Sequence, residues 1–270
     1  MGSKLFLDQS LAVIGLETLL LLILVNGIGY KIGWRHTKLD GGEKRERIAG
    51  TITGAMLALL GFILAISLSM AHSHFEARRK MILDEANAIG TCRLRAMTVG
   101  GPHSIEIIRL LKDYTQLRLE FFAAGEDINR LKSVDKQTSN LQRRIWDHAS
   151  AIAGAAPTQI SGLLLSSLNE VIDLSTTRRW ALEVRVPPYV VNLLLVLSLL
   201  TMGLMGYYFG VSGVRYPILS AFLFIAFTVA ILLVMDLNRP RGGFIQAEQS
   251  PLIWLIDDMN QELSGQSPAK

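Results

Sequence analysis

The chain has 270 residues, of which 50% are hydrophobic and 19% are charged, and its formal net charge is +4. The apolar residues are concentrated in a few long segments, which excludes an ordinary soluble domain of this size. The single cysteine, Cys92, excludes an internal disulfide. No basic–aromatic pattern indicates a nucleic-acid partner.

Four segments contain no lysine, arginine or aspartate: Leu11 to Tyr30, Ile48 to Phe75, Pro187 to Val214 and Tyr216 to Met235. Each is long enough for a helix to cross a hydrocarbon core of about 30 Å, which takes about 20 residues. We therefore predict an all-α integral membrane protein with four transmembrane helices. We expect this protein to interact with the lipid bilayer. The basic clusters beside the four segments would contact anionic lipid headgroups.

Residues 1–47 are predicted to form the first transmembrane helix and a basic loop. A secretory signal is the alternative interpretation. Against it, Lys4 is the only basic residue before the apolar run, Glu17 interrupts that run, and no Ala-x-Ala cleavage site follows.

Glu17 is the only acidic residue inside the four segments. A charged, unpaired carboxylate within a membrane costs several kcal/mol. One interpretation is a proton or cation site, with Asn26 or Asn192 as a partner. The other is an interfacial residue on a helix that starts later, and we favour it slightly.

Residues 48–97 are predicted to form the second transmembrane helix and its extramembrane continuation, because no proline interrupts them. Gly90 weakens such a helix by about 1 kcal/mol without breaking it. Outside the membrane, Glu76 with Lys80 and Lys80 with Asp84 form i, i+4 pairs that support a helix in water. This rod either carries a conformational change or simply holds the domain, and the second interpretation is favoured.

Small residues recur on one side of the second apolar segment at steps of three or four. We call them the small-residue face: Gly50, Gly54, Ala58, Gly61, Ala65 and Ser69. Such spacing lets helices approach closely, and we favour this interpretation. The alternative is the lining of a pore, and both functions are compatible in an oligomer.

The same side of the helix continues into a polar set that would ring a pore mouth. We call these the mouth residues: His72, Glu76, Arg78, Arg79 and Lys80. A histidine there would titrate near neutral pH, although an interfacial residue without a special role is the plainer interpretation of His72.

Residues 98–186 are predicted to form a helical extramembrane domain inserted between the second and third transmembrane helices. Residues 187–236 hold transmembrane helices three and four, and Pro187 and Pro188 suit the start of the third. Residues 237–270 form a C-terminal tail with an amphipathic helix. Its acidic face, with Asp257 and Asp258, predicts docking on protein rather than on anionic lipid.

The run from Leu60 to Ala96 resembles the bacterial bestrophin-like domain family, whose members carry Phe-x-x-Arg-Arg and then Glu-Ala-Asn-Ala-Ile-Gly-Thr and an arginine. Asp-Leu-x-Arg-Pro after the fourth segment is a second shared motif. The matching positions include Glu85, Asn87, Gly90, Arg95, Asp236, Arg239 and Pro240. The match extends from about Ile48 to Leu255.

This family is distantly similar to bestrophins, pentameric anion channels with the same order of helices and a helical domain between the second and third. The similarity implies that Phe62 or Ile66 forms an apolar neck. The acidic calcium site of animal bestrophins has no counterpart here, so calcium gating is not expected.

Two arguments place the helical domain on opposite sides of the membrane. The first loop carries many basic residues, which the positive-inside rule places in the cytoplasm: Lys31, Arg35, Lys38, Lys44, Arg45 and Arg47. The bestrophin arrangement instead places the helical domain in the cytosol. We favour the second, because basic residues also crowd the domain-side ends of the other helices.

We predict no enzyme activity, no cofactor and no metal site. Adjacent Asp84 and Glu85 diverge by about 100° on a helix and cannot share a substrate, and His72 and His74 lack the i, i+4 spacing of a shared metal. Asp236 with Arg239 and Arg241 is interpreted as an ion pair that anchors a turn.

The leading hypothesis is a homo-oligomeric, multi-pass ion channel, selective for anions, in a bacterial inner membrane. The second is a non-conducting membrane scaffold or sensor whose helical domain binds a partner. A third, weaker hypothesis is a proton-coupled carrier that uses Glu17.

Overall fold

The computed structural model describes residues 10–37, 42–125 and 127–263, which form eight α-helices and no strand. The helices are α1 (Leu11–Thr37), α2 (Gly42–Val99), α3 (Gly101–Ala123), α4 (Ile128–Ala155), α5 (Gln159–Glu183), α6 (Pro188–Ser212), α7 (Pro217–Leu237) and α8 (Ser250–Leu263). The all-α prediction is confirmed. Lys38 of the predicted basic loop lies outside the described residues.

Four helices, α1, α2, α6 and α7, are long and apolar enough to cross a membrane. Large apolar side chains on their outer surfaces are exposed, among them Leu16 and Phe222. An exposed apolar surface of this extent indicates contact with a membrane or with another protein. The chain is therefore a membrane protein with the four predicted helices.

The described residues divide into two compact units. The membrane unit contains the residues up to His74 together with Arg185–Arg239. The helical unit contains Phe75–Val184 and the residues from Pro240 onward. Helix α2 is unbroken from Gly42 to Val99, through Gly90, and the division falls within it.

The membrane unit depends on glycines where α1 meets α6. A Cβ atom on Gly29 would lie 2.1 Å from the carbonyl oxygen of Gly203, and one on Gly206 would lie 2.0 Å from the carbonyl oxygen of Asn26. The Asn26 side-chain amide donates to the Met202 carbonyl at 3.0 Å. Small residues thus bring the two backbones into contact, as expected where lipid tails supply no hydrophobic driving force between helices.

At the end of α7 a polar group fixes the chain before α6. The Asn238 Oδ1 atom accepts a hydrogen bond of 2.6 Å from the backbone N–H of Val186. Asp236 and Arg239 are also buried there, and the Arg239 N–H donates to the Asp236 carbonyl oxygen at 2.9 Å.

The helical unit has a core to which several helices contribute, with Ile89, Leu110 and Leu164 fully buried. The starts of α4 and α5 are capped by side chains. Asp127 accepts from the N–H groups of residues 129 and 130, and Thr158 forms a capping box with Ser161. Helix α8 buries Leu252, Leu255 and Met259 in this core, so the tail helix packs on protein.

Candidate functional site

The small-residue face of α2 is turned away from the rest of the membrane unit. Gly54, Ala58, Gly61, Ala65 and Ser69 are exposed, and Gly50 is half-buried. Among the described residues no heavy atom lies within 4 Å of a Cβ built on Gly54 or Gly61. Only at Gly50 does a side chain, that of Tyr208, approach to 3.1 Å. The face therefore does not serve packing within the described chain beyond Gly50.

The inward side of the same helix carries Leu60, Ser67 and Ala71, all buried. The Ser67 hydroxyl donates to the Ile63 carbonyl at 2.8 Å, so it needs no other partner. The two neck candidates, Phe62 and Ile66, are 62% and 42% exposed. They lie on the outward half of α2, and Phe62 is turned about 100° from Gly61 because the two residues are adjacent.

Four of the five mouth residues are exposed: His72, Glu76, Arg79 and Lys80. Glu76 and Arg79 form a surface ion pair of 3.7 Å. The fifth, Arg78, is only 3% exposed. Its guanidinium donates to the Val184 carbonyl at 3.5 Å, within the helical unit. The exposed cations of this set are therefore Arg79 and Lys80.

Glu17 is half-buried on α1, one residue from the buried Thr18. Its candidate partner Asn26 bonds instead to the Met202 carbonyl, and the other candidate, Asn192, is exposed on α6. No ion pair of Glu17 is found among the described residues.

The most heavily charged part of the core lies in the helical unit and was not predicted as a cluster. Glu85 is 0% exposed, and it binds Arg118 through Oε1 at 2.6 Å and Arg178 through Oε2. The Tyr114 hydroxyl donates to Oε1 at 3.4 Å. We call these four residues the buried charge cluster.

Helices α2, α3 and α5 supply this cluster. Three further residues contact the arginines of the cluster or lie beside them. The Gln249 side-chain oxygen accepts from Arg178. The guanidinium carbons of Arg118 and Arg241 lie 4.9 and 4.5 Å from the centre of the Phe121 ring, within the range of cation–π attraction.

The electrostatics of the cluster favour an ionised carboxylate. Burial raises the pKa of the Glu85 carboxyl, but the charges of Arg118 and Arg178 and their hydrogen bonds outweigh burial and hold that pKa below its ordinary value. Burial, and then the charge of Glu85, raises the pKa of Tyr114 to about 12. Glu85 is therefore a permanently charged anchor rather than a proton donor near neutral pH.

The positions of the two arginines in the apolar pattern of their helices could have predicted this cluster from the sequence. On α3 the buried positions include Ile107, Leu111 and Tyr114, and the next positions on that face are Arg118 and Phe121. On α5, Arg178 likewise continues the buried series of Leu164, Leu168 and Val171. A charged residue at a buried position of a periodic apolar face indicates a buried ion pair, because an unpaired charge there would be too costly.

The remaining motif residues occupy different environments. Asn87 is exposed, Gly90 is half-buried, and Arg95 donates to the Leu163 carbonyl at 2.8 Å. A Cβ on Gly90 would meet Leu255 at an ordinary 3.6 Å. Asp236 and Arg239 are buried at the end of α7, and Pro240 opens the chain segment that returns to the helical unit. In the part of the chain that the structure describes, no three His, Cys, Asp or Glu residues are grouped to hold a metal.

Fold and motifs together define the class: an all-helical membrane protein with four membrane helices and a separate helical unit. The family model described as Bestrophin-like domain matches residues 23–252. The chain therefore belongs to the bestrophin-like domain family, and the predicted resemblance is confirmed.

Solved structures of a bacterial bestrophin homologue from Klebsiella pneumoniae share this fold. One of a single-residue variant has a TM-score of 0.68 at 16% identity and covers 96% of this chain and 98% of that one. Another structure of the homologue has a TM-score of 0.65 at 18% identity and covers 96% of this chain and 100% of that one. No curated protein matches this sequence.

Proposed function

We propose that the protein is a homo-oligomeric ion channel of a bacterial inner membrane and that it passes small anions. Membership of the bestrophin-like domain family supports this proposal. The observation that carries it is the outward small-residue face of α2, which has open space at Gly54 and Gly61. A second copy of the chain is the partner that this face fits.

On the outward half of α2, the residues that contact another copy and the residues that line a pore must be different. Gly61 and Phe62 are turned about 100° apart, so they cannot both point at one axis. We assign the small residues to close contact between copies. Phe62 and Ile66 are assigned to an apolar constriction around the axis, of the kind that gates by dewetting.

Selectivity for anions is supported by the charges that follow on the same helix. Oligomerisation would repeat Arg79 and Lys80 around the axis and raise the local concentration of anions. Glu76 opposes this effect, since it pairs with Arg79 at 3.7 Å. The proposed selectivity is accordingly modest.

The test combines the mass of the purified particle in detergent with ion flux in proteoliposomes. We expect an oligomer that conducts chloride faster than potassium, read from dilution potentials. A monomer, or a particle that passes no small ion at several pH values, would contradict the proposal.

Introduced cysteines sharpen this test, because Cys92 is buried and no other cysteine is present. Gly61→Cys is expected to cross-link neighbouring copies under oxidising conditions. Phe62→Cys is expected to lose flux when a charged thiol reagent is added. Ser133→Cys, exposed on α4, serves as the control for both and reports by its labelling whether the helical unit faces the cytosol.

A non-conducting scaffold or sensor is the second candidate. Large apolar side chains on the helical unit remain exposed, including Ile105, Trp180 and Phe244 at 69%, 67% and 87%. Such surface suits a protein partner. Co-purification of one partner at fixed stoichiometry, together with absent flux, would favour this function. Glu17→Gln with unchanged transport would exclude the proton-coupled carrier.

A further inference from the structure

Two histidines from different helices meet at the surface of the helical unit. His103 lies in the first turn of α3, and His148 lies 45 positions further along the chain, on α4. Their Nδ1 atoms are 2.8 Å apart, and their ring centroids are 5.2 Å apart at an interplanar angle of 52°. Neither ring makes another hydrogen bond to a described residue.

Buried neighbours on both helices hold this histidine pair in place. Ile107, one turn after His103, is 0% exposed, and Ile145 and Ala149, on either side of His148, are each 1% exposed. The ring of His103 is exposed and that of His148 is half-buried. The core therefore fixes the two backbone positions, while the rings can be reached from water.

The distance between the two nitrogens suits the binding of one metal ion. In a neutral pair one Nδ1–H donates to the other Nδ1, and if the donor ring carries its proton on Nε2 instead, both Nδ1 lone pairs are available. Metal–imidazole bonds of about 2.0–2.1 Å place two adjacent nitrogens about 2.9 Å apart at a right angle and about 3.3 Å apart in a tetrahedron. The observed 2.8 Å is closer to the right-angled arrangement. A rotation of each ring about its bond to Cβ aims both lone pairs at one ion.

The charges on the same faces of α3 and α4 are already paired. Glu106, one turn after His103, accepts from Arg109 at 2.8 Å and from Arg144, one turn before His148, at 3.4 Å. The hydrogen bond from Arg109 holds the pKa of the Glu106 carboxyl below its ordinary value. This carboxylate therefore stays charged and offsets the two arginines near the histidine pair.

We propose that His103 and His148 bind one divalent transition-metal ion of the kind that prefers imidazole, through their Nδ1 atoms. Right-angled geometry favours Cu²⁺ or Ni²⁺ over tetrahedral Zn²⁺. In the part of the chain that the structure describes, no third His, Cys, Asp or Glu joins the pair, so water completes the coordination. The bound ion links α3 to α4, and this role does not depend on the proposed channel function.

Metal binding by the full-length protein, purified in detergent without a histidine tag, tests the site. Equilibrium dialysis measures the number of Ni²⁺ ions bound per chain, and Mg²⁺ is the comparison because it prefers oxygen ligands. We expect saturable binding of Ni²⁺ and none of Mg²⁺. A ligand that binds only the folded state also raises the melting temperature, so Ni²⁺ should raise it and Mg²⁺ should not.

Two variants locate the ion, and a third controls for other histidines. His103→Gln and His148→Gln each remove one ligand, and each is expected to lose one Ni²⁺ ion per chain together with the rise in melting temperature. His72→Gln, at an exposed position on α2, is expected to retain both. Ion flux has no part in these readouts, so the metal site and the channel are tested separately.

The absence of Ni²⁺ and Cu²⁺ binding to the wild type would overturn the proposal, and the pair would then be only a hydrogen bond between α3 and α4. Binding that survives in both histidine variants would also overturn it, since the ion would lie elsewhere. If neither variant can be purified, the electron paramagnetic resonance of Cu²⁺ on the wild type decides the question. Hyperfine splitting from two nitrogen ligands supports the site, and splitting from one nitrogen or none refutes it.

Discussion

At the scale of single residues, Glu85 supplies the negative charge that pairs with two buried arginines in the helical unit. It is the buried anion that three helices share, through Arg118 on α3 and Arg178 on α5. A buried ion pair adds little stability compared with apolar residues of the same shape. Removal of one partner is costly, however, because the remaining charge is left buried without compensation.

Glu85→Gln is therefore expected to destabilise the helical unit by about 3–5 kcal/mol. The glutamine keeps the size of the side chain but leaves Arg118 and Arg178 without their counter-charge. Glu76→Gln, on the exposed side of the same helix, should change stability by less than about 1 kcal/mol, because its ion pair is on the surface. Denaturant unfolding of the protein in detergent measures both, and equal effects would contradict the assignment.

The same carboxylate sets a dependence of stability on pH. Its pKa in the folded state lies below the value in the unfolded chain. Its contribution is therefore complete above the unfolded pKa of about 4.3 and is lost as the pH falls through the folded pKa. The gap in melting temperature between wild type and Glu85→Gln should narrow as the pH is lowered from 7 towards 3. A gap that stays constant or widens would show that charge is not the cause.

The sequence identifies Glu85 as a motif residue, but it does not show what Glu85 binds. Its two partners lie 33 and 93 positions further along the chain, and no local pattern relates such distances. The sequence does place Arg118 on the apolar, buried face of its helix, and this placement alone indicates a buried ion pair. The sequence does not show which of two adjacent arginines on α2 is buried: Arg78 is 3% exposed and Arg79 is exposed, because adjacent residues on a helix point in directions about 100° apart.

At the scale of helices, the spacing of small residues predicts close packing but not its location. The small-residue face of α2 followed from its period, yet within the described chain it is exposed. Close packing occurs instead between Gly29 and Gly203 and between Gly206 and Asn26. In a membrane segment both sides of a helix are apolar, so hydropathy does not tell which side faces protein and which faces lipid.

Gly29→Ala is expected to weaken the contact of α1 with α6. Its Cβ would lie 2.1 Å from a backbone oxygen, which cannot move as a flexible side chain can. The helices must separate, at a cost of about 1–3 kcal/mol. Gly27→Ala is the matched control, since nothing in the described structure lies within 4 Å of its Cβ. The melting temperature in detergent should fall for the first variant and not for the second.

At the scale of the whole molecule, folding and assembly depend on different glycines. Gly29 is needed for the membrane unit itself, whereas Gly61 has open space around it and would matter only when copies meet. Gly61→Leu should therefore leave the helical content of the chain unchanged and lower the mass of the detergent particle. Gly27→Leu is the control on α1. An unchanged mass with Gly61→Leu would show that the small-residue face is not the contact between copies.

In the assembled oligomer, the constriction proposed at Phe62 should limit the flux of ions. An apolar ring excludes water and thereby ions, so shortening the side chain should widen and wet it. Phe62→Ala is expected to raise anion flux in proteoliposomes several-fold without a change of particle mass. Phe222→Ala is the matched control, because that phenylalanine is exposed on α7 and is assigned to lipid contact. If flux rises equally in both variants, the barrier is not at Phe62, and if it rises in neither, α2 does not line the pore at this level.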